Sequence, residues 1–223
     1  MSVLQLTDLG RAAYGTTLAL QKRLVEQTKT ADEDLGHLLL VEHDPPVITL
    51  GRRGKDDDLL VSRRRLAEMG LEVHESSRGG EVTYHGPGQL VGYPIIQLAR
   101  RGGDVRSYVR NLEETLIRLL GRYGLQPGRK EKFTGVWVGN EKVAAIGVAV
   151  HRWVTYHGFA LNVCTDLSRF ELIVPCGIRD KRITSMSELL GRDVTVEEVK
   201  PKLVEIFCEV FEFDSIEEHP ADT

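Results

Sequence analysis

The segment that most constrains the fold is rich in glycine and proline and covers residues 78–94, RGGEVTYHGPGQLVGYP. An ordinary turn needs only one or two glycines to reach backbone conformations with positive φ. Here glycine interrupts strand-like residues repeatedly, which favours a bare backbone that a ligand can approach closely. Tyr84 and His85 at its centre carry a hydroxyl and an imidazole that could face such a ligand. The simpler alternative is a hairpin with a generous loop.

Composition narrows the class of protein. The chain has 223 residues, of which 41% are hydrophobic, so we expect one domain (1–223) with a substantial core. It contains no apolar run long enough for a membrane span and no secretory signal at its start. Three cysteines without a Cys-x-x-Cys pair indicate thiols in a reducing cytoplasm rather than a disulfide framework.

Charge argues against a nucleic-acid partner, because the net charge is −4. Basic residues nevertheless cluster locally, at Arg52, Arg53, Arg63, Arg64, Arg65, Arg100, Arg101, Arg129, Lys130 and Lys132. Such clusters could steer an acidic partner, or they could be solvated helix faces and loops.

Periodicity and capping signals predict the secondary structure. Helices are expected at 14–27, from a cap at Ser62 to Gly70, and from a cap at Asp104 to Gly124. Two capping boxes, Ser185 with Glu188 and Thr195 with Glu198, precede a last helix in which Pro201 could cause a kink. Strands are expected at 38–41, 47–50, 71–74 and 153–163, with a hairpin formed by 136–138 and 143–150 around Gly139-Asn140. Together these elements predict one α/β domain on a mixed sheet.

Two residues are candidates for nucleophilic chemistry. Cys176 lies between Pro175 and Gly177, which indicates a tight, exposed turn, although a lone cysteine is usually a small buried hydrophobe. Lys142 begins the second strand of the hairpin, where a lysine is usually a solvated edge residue. The sharper hypothesis is that Lys142 faces Cys176 and activates it. No zinc spacing, no phosphate loop of the G-x-x-x-x-G-K-[ST] type and no G-x-S-x-G elbow occurs in the sequence.

Several motifs together resemble the lipoyl(octanoyl) transferases, which move an octanoyl group from acyl carrier protein to a lysine of a lipoyl domain. The matching segments are RGGEVTYHGPGQ at 78–89, EHDPPVITLG at 42–51, KVAAIG at 142–147, GFALN at 158–162 and PCGI at 175–178. They occur in order and span nearly the whole chain.

The resemblance implies the catalytic-domain fold of the biotin and lipoate protein ligases, a mixed, largely antiparallel sheet flanked by helices. It also implies that Cys176 is the acyl-thioester nucleophile and Lys142 the partner that lowers its pKa. The implied substrate-binding residues are Arg78, Gly79, Gly80, Glu81, Val82, Thr83, Tyr84, His85, Ala145, Ile146, Gly147, Gly158, Phe159 and Ala160. Ala145 stands where many members have serine, so a hydroxyl contact is not expected there.

The implied partners are octanoyl-acyl carrier protein, the lipoyl domains of 2-oxoacid dehydrogenase complexes and the glycine cleavage H protein. A thioester donor is already activated, so no ATP, other cofactor or metal is expected. Gly147, Gly158 and Ala160 would leave room for the acyl chain, and backbone N–H groups near Gly79, Gly80 or Gly177 are candidates for stabilising an oxyanion. The alternatives are an ATP-dependent lipoate-protein ligase, which needs no cysteine nucleophile, and a non-catalytic protein that binds lipoyl domains or acyl carrier protein.

Overall fold

The computed structural model describes residues 2–30, 34–174 and 182–220. The α-helices are α1 (Tyr14–Thr30), α2 (Arg63–Glu68), α3 (Val105–Gly121), α4 (Met186–Leu190) and α5 (Val196–Phe211). The strands are β1 (Val3–Ala12), β2 (Leu35–His43), β3 (Val47–Leu50), β4 (Glu72–Glu75), β5 (Val82–His85), β6 (Gln89–Ile95), β7 (Pro127–Lys130), β8 (Phe133–Val138), β9 (Glu141–His151), β10 (Val154–Asn162), β11 (Arg182–Ile183) and β12 (Ser215–Glu218). Of the helices in these ranges, none has the length and apolar character needed to cross a membrane.

Two sheets organise the described residues. The large sheet has nine strands in the order β12-β1-β2-β6-β10-β9-β8-β7, with β11 added beside β9. The neighbouring strands β2, β6, β10, β9, β8 and β7 pair antiparallel with one another. Strands β12, β1 and β2 run parallel to one another, as do β11 and β9. The small sheet has the order β4-β3-β5. The expectation of a mixed, largely antiparallel α/β domain is therefore confirmed.

Burial on both faces explains the continuous apolar run in β2. Leu38 and Leu40 pack into a cluster with α3 and α5, whereas Leu39 and Val41 pack into a cluster with α1. Because successive side chains of a strand point to opposite faces, a strand covered on both sides must be apolar throughout.

The glycine-rich stretch is not a hairpin. Its strands β5 and β6 belong to different sheets: β5 pairs with β3, and β6 pairs with β2 and β10. The turn between them carries the chain from the small sheet to the large one. Glycine is required there by close approach, because a Cβ at Gly86 would lie 2.1 Å from the Tyr84 hydroxyl oxygen and one at Gly88 would lie 2.7 Å from the Cys164 carbonyl oxygen.

Capping follows the sequence signals in part. The side chains of Ser62, Asp104, Ser185 and Thr195 all accept hydrogen bonds from the first turns of their helices, as predicted. A capping box also requires the glutamate carboxylate to accept a hydrogen bond from the backbone N–H of the cap residue. This part of the two predictions was wrong, because both carboxylates have other partners. Glu188 accepts from the Thr184 hydroxyl, and Glu198 accepts from Arg192.

Candidate active site

A cavity lies where the large sheet, the small sheet and the glycine-rich stretch meet. Residues of β5, β6, β9, β10 and β11 form its wall, together with the segment before β5 and the start of α1. The lining residues are Tyr14, Arg78, Gly79, Gly80, Val82, Thr83, His85, Gln89, Val91, Tyr93, Trp137, Lys142, Ala144, Ala145, Ile146, Gly147, His157, Gly158, Phe159, Ala160, Asn162, Phe170, Arg182 and Ile183. Most of the predicted substrate-binding residues and Lys142 are thus brought to one place.

Two predicted binding residues are not on this wall. Tyr84 is buried instead in a cluster with Ile48, Leu66 and Phe170. Glu81 directly precedes β5, and its carboxylate approaches Arg53 at 3.7 Å. The wall includes instead Tyr14, Gln89, Tyr93, His157 and Asn162, which the sequence analysis did not select.

Backbone hydrogen bonds tie residues 78–81 to both sheets. Gly79 N–H donates to the Val148 carbonyl of β9 at 2.9 Å, and Gly51 N–H donates to the Glu81 carbonyl at 2.7 Å. The Gly79 N–H is therefore already used and is not a free oxyanion donor, which leaves Gly80 as the candidate in this segment. The loop forms a fixed part of the cavity wall.

Gly147 and Gly158 are required by packing within the protein. A Cβ at Gly147 would lie 3.0 Å from both the Arg78 Cδ and the Gly79 carbonyl oxygen. A Cβ at Gly158 would lie 2.2 Å from the Gly92 carbonyl oxygen. The expectation that these glycines leave room for an acyl chain is therefore corrected. Protein atoms already occupy the space that their side chains would take, although their backbones line the cavity.

Arg78 brings a buried positive charge to the wall. Its guanidinium donates to the Thr49 carbonyl at 2.7 Å, to the Thr49 hydroxyl at 2.9 and 3.2 Å, and to the carbonyls of Gly79 and Glu81 at 3.0 and 2.9 Å. Thr49 belongs to β3, so Arg78 is held against the small sheet. A fixed cation in a cavity with a largely apolar lining favours negative charge developing nearby.

Three buried histidines in and beside the cavity are kept neutral: His85 and His157 line it, and His43 lies next to His85. His43 Nδ1 donates to the Ala12 carbonyl at 3.1 Å, so its Nε2 accepts from the Tyr93 hydroxyl at 2.6 Å. Burial is the main cause that lowers the pKa of His43 to about 4, and burial together with Arg78 lowers the pKa of His157 to about 3. The pKa of His85 is also well below its ordinary value, first through burial and then through His43 and Arg78.

An irregularity in strand pairing places Lys142 at the cavity. Trp137 pairs with Lys142 and Val136 pairs with Ala144, so β9 has one extra residue, Val143, at this point. Such a bulge redirects the neighbouring side chains. The Lys142 ammonium lies 5.5 Å from the centre of the Trp137 ring. A Cβ at Gly135 would lie 2.7 Å from the Lys142 Cε, so glycine there makes space for this side chain.

Cys176, Gly177 and the rest of the PCGI motif lie outside the described residues. The described chain on either side reaches the cavity, since Phe170 precedes the motif and Ile183 follows it, and both line the wall. Ile183 also pairs in parallel with Lys142. Proximity of Cys176 and Lys142 therefore stays a prediction.

The two described cysteines do not suit nucleophilic chemistry. Burial raises the pKa of the Cys208 thiol to about 11, and it packs at the edge of the main core. Cys164 is exposed, yet its pKa is raised by partial burial and by Glu42 and Asp193. A thiol with a raised pKa contains little thiolate at neutral pH, so it is a poor nucleophile.

Comparison with known proteins identifies the relatives of the chain. A family model described as the lipoyl protein ligase A/B catalytic domain matches residues 13–208. An octanoyltransferase of Caldicellulosiruptor saccharolyticus is 50% identical over 200 residues, which are 89% of this chain and 84% of that protein. An octanoyltransferase of Solibacter usitatus is 49% identical over 211 residues, 95% of this chain and 94% of that protein.

Solved structures share the fold at low sequence identity. A putative lipoate protein ligase from Thermoplasma acidophilum with bound lipoic acid has a TM-score of 0.80 at 19% identity, covering 100% of this chain and 90% of that chain. A lipoate-protein ligase A bound with ATP has a TM-score of 0.78 at 20% identity, covering 99% and 89%. The apo biotin protein ligase of Aquifex aeolicus has a TM-score of 0.52 at 14% identity, covering 95% and 70%.

Proposed function

The chain belongs to the family of lipoyl protein ligase A/B catalytic domains and catalyses octanoyl transfer in protein lipoylation, and we propose that it takes the octanoyl group from acyl carrier protein and passes it through a Cys176 thioester to the lysine of a lipoyl domain. The observation that carries this proposal is the half-identical match to octanoyltransferases over most of the chain. The cavity adds chemical support because it gathers Lys142 and an apolar wall in one place.

The covalent route has two steps. Lys142 takes the proton of Cys176, and the thiolate attacks the donor thioester; the bond to the carrier sulfur breaks, and the departing thiolate takes the proton back from Lys142. The amine of the acceptor lysine, which belongs to the lipoyl domain, then attacks the enzyme thioester. The C–N bond forms, and the C–S bond breaks with its electron pair returning to Cys176. The amine proton passes to Lys142 and from there to Cys176. Splitting the transfer in this way lets two protein substrates use one site in turn.

Nothing in this route requires ATP, because a thioester already carries the energy for making an amide. The acyl chain needs an apolar wall, which Val91, Ile146, Phe159 and Ala160 can supply. Arg78 would stabilise the negative charge of each tetrahedral intermediate, and the Gly80 N–H is a further donor candidate.

The acceptor is proposed to be a lipoyl domain of a 2-oxoacid dehydrogenase complex or the glycine cleavage H protein. A bipartite lipoate protein ligase from Thermoplasma acidophilum, studied with its E2 lipoyl domain, has the same fold with a TM-score of 0.80. The proposal includes a cytoplasmic location, which the odd number of cysteines suits because thiols persist in a reducing compartment.

The proposed docking surface for the acidic carrier protein is narrower than the sequence suggested. The guanidinium of Arg63 pairs with Asp56 at 2.6 Å, and those of Arg64 and Arg65 pair with Glu68 at 3.1 and 3.2 Å. Arg52 and Arg53 instead bond through their backbones to the carbonyls of Arg78 and Gly80, which places them beside the cavity. We favour Arg53 as the docking residue, because it lies beside the cavity and its contact with Glu81, at 3.7 Å, is longer than the ion pairs of Arg63, Arg64 and Arg65.

Mass spectrometry of the intact protein tests the proposal. The protein is mixed with octanoyl-acyl carrier protein without ATP, and the adduct is located by peptide mapping. We expect one octanoyl group on Cys176, which disappears when a lipoyl domain is added. The variant C176A should form no adduct, whereas C208A, with its thiol of raised pKa, should behave as the unaltered protein.

Two outcomes separate the alternatives. Transfer that appears only with free octanoate and ATP would make the chain a ligase rather than a transferase. Binding of a lipoyl domain with no transfer from either donor would make it a non-catalytic binding protein. Turnover by C176A at the normal rate would remove the covalent step from the proposal.

A further inference from the structure

A chain of buried amides connects His85 to the end of β11. His85 Nδ1 lies 2.7 Å from the Gln89 side-chain oxygen. The Gln89 amide nitrogen donates to the Asn162 side-chain oxygen at 2.9 Å and to the Tyr84 carbonyl at 3.1 Å. The Asn162 amide nitrogen donates to the Thr184 carbonyl at 3.0 Å. All three side chains are buried, and all three line the cavity.

The two carbonyls fix the direction of every bond in this chain. A backbone carbonyl can only accept, so nitrogen must face it in both amides: Gln89 toward Tyr84 and Asn162 toward Thr184. The Gln89 oxygen is then left facing His85 Nδ1, and this oxygen cannot donate. His85 Nδ1 must therefore carry the proton, which makes Nε2 of the neutral ring an acceptor.

Nε2 has little other engagement among the described residues. Its contact with the Thr49 hydroxyl is 3.5 Å long, which is at the limit for a hydrogen bond. The Thr49 oxygen already accepts two bonds from Arg78, so only its hydrogen is left for His85. The low pKa of His85 keeps Nε2 unprotonated at neutral pH. His85 and Lys142 line the same cavity, and the Nε2 of this neutral ring can accept one hydrogen bond in place of the long Thr49 contact.

We propose that Gln89 and Asn162 are positioning residues of the transfer reaction, which hold His85 as the Nδ1–H tautomer so that Nε2 accepts an N–H hydrogen bond from the attacking lysine amine. This inference rests on the proposed function. The amine is the reacting group with N–H donors, whereas the thioester carbonyl has no hydrogen to give. His85 orients the amine and does not take its proton, which leaves to Lys142 as the C–N bond forms and the bond to Cys176 breaks.

Fixing the tautomer has a selective consequence for the two steps. Loading of Cys176 involves a thiolate and a thioester, neither of which needs an acceptor at Nε2. Discharge involves the amine and does need it. With the opposite tautomer, Nε2–H would point a donor at the amine hydrogens and would oppose the approach. Loss of the amides should therefore slow discharge and spare loading.

The alternative is that the amides serve packing only. Gln89 and Asn162 are already paired through the backbones of β6 and β10, so the sheet holds them together without the side chains. A purely structural network would change stability and would affect both steps alike. The two half-reactions and the tautomer are readouts that separate these roles.

The experiment compares Gln89→Met, Gln89→Glu and a matched control, Gln97→Met, which makes the same change outside the cavity lining. Nitrogen-15 NMR of His85 reports the tautomer in each protein. Single-turnover mass spectrometry reports octanoyl loading of Cys176 and its discharge by a lipoyl domain. We expect Nδ1–H in the unaltered protein and in Gln89→Glu, whose carboxylate still accepts from Nδ1, and a loss of this preference in Gln89→Met.

Discharge in Gln89→Met should fall about 10- to 100-fold, by analogy with the loss when a hydrogen-bond partner that orients a metal-bound imidazole is removed, while loading stays within about twofold. Gln89→Glu should recover part of the discharge rate, and Gln97→Met should change neither step. An Nε2–H tautomer in the unaltered protein, or equal effects of Gln89→Met on both steps, would overturn the inference. Absence of any octanoyl adduct on the unaltered protein would defeat the proposed function instead, while the tautomer would still test the amide chain.

Discussion

Replacing Gly147 by alanine tests whether this glycine serves packing or substrate. The added Cβ would lie 3.0 Å from the Arg78 Cδ, 3.0 Å from the Gly79 carbonyl oxygen and 3.6 Å from the Arg78 Nη1. Contacts of 3.0 Å are too short for carbon, and the carbonyl belongs to a backbone that is itself bonded to Val148. The backbone at Gly79 and the Arg78 side chain must therefore both shift by a few tenths of an ångström.

The expected cost is that of overpacking, about 1–3 kcal/mol of unfolding free energy. In a domain of this size each kcal/mol moves the melting temperature by about 2–4 °C, so Tm should fall by about 2–12 °C. Transfer should also slow, because Arg78 and the Gly79-Gly80 wall move together. Circular dichroism gives Tm, and octanoyl transfer to a lipoyl domain gives kcat and KM.

A matched substitution, Gly121→Ala, provides the control. No atom lies within 4 Å of the Cβ that would be added at Gly121, the last residue of α3. Alanine is the better helix former, so Tm should stay or rise by the equivalent of up to about 1 kcal/mol. If Gly147→Ala left Tm unchanged and only raised KM for the octanoyl donor, Gly147 would be making room for the acyl chain and the packing argument would be wrong.

Three further predictions concern stability, pH and docking. Asp104→Ala should cost about 1 kcal/mol in urea unfolding, because Asp104 caps α3; an unaltered midpoint would remove that role. Burial is the main cause that lowers the pKa of His37 to about 4, so its contribution to stability is present above pH 6.5 and is lost as the pH falls toward 4. Between pH 7 and pH 5 the unfolding free energy should fall by about 2 kcal/mol because of His37. Urea titrations should show that His37→Leu lacks this part of the pH dependence, and an equal pH dependence in both proteins would refute the prediction. Arg53→Glu should raise KM for acyl carrier protein at low salt more than Arg64→Glu does, since Arg53 lies beside the cavity and contacts Glu81 only at 3.7 Å, whereas Arg64 pairs with Glu68 at 3.1 Å; equal effects would argue against docking at Arg53.

Elements with a strong local signal could be predicted from the sequence. A few adjacent residues are enough to predict the caps at Ser62 and Asp104 and a buried strand at 38–41. β1 was missed because it is mostly half-exposed, mixes polar with apolar residues, and has irregular pairing with β2 between Asp8 and Arg11. β7 was missed because Pro127 and Gly128 resemble a turn, and only its partner β8 makes it a strand.

The site shows the same division between local and long-range information. A glycine-rich segment with His85 at its centre is visible in the sequence, and so is a lysine at a strand start. That β5 and β6 belong to different sheets depends on pairing with β3, β2 and β10, which are distant in sequence. Gln89 and Asn162 resemble ordinary strand residues in the sequence. The hydrogen bond between them joins residues 73 positions apart, so only the folded structure shows that they act together. An amide directly after a glycine-rich turn, four residues from a candidate histidine, was the available signal.

Stability and chemistry are therefore coupled at this cavity. The turn through Gly86 and Gly88 joins the two sheets, and the backbone of 78–81 is bonded to both, so the contacts that hold the sheets together also build the wall. Lys142 is different, because a local bulge in β9 places it and Gly135 makes space for it. Substitutions in the glycine-rich wall should consequently change Tm and transfer together, whereas substitutions of Lys142 itself should change transfer with little effect on Tm. This division follows from which atoms the two sheets share, and it distinguishes residues that build the cavity from those that act within it.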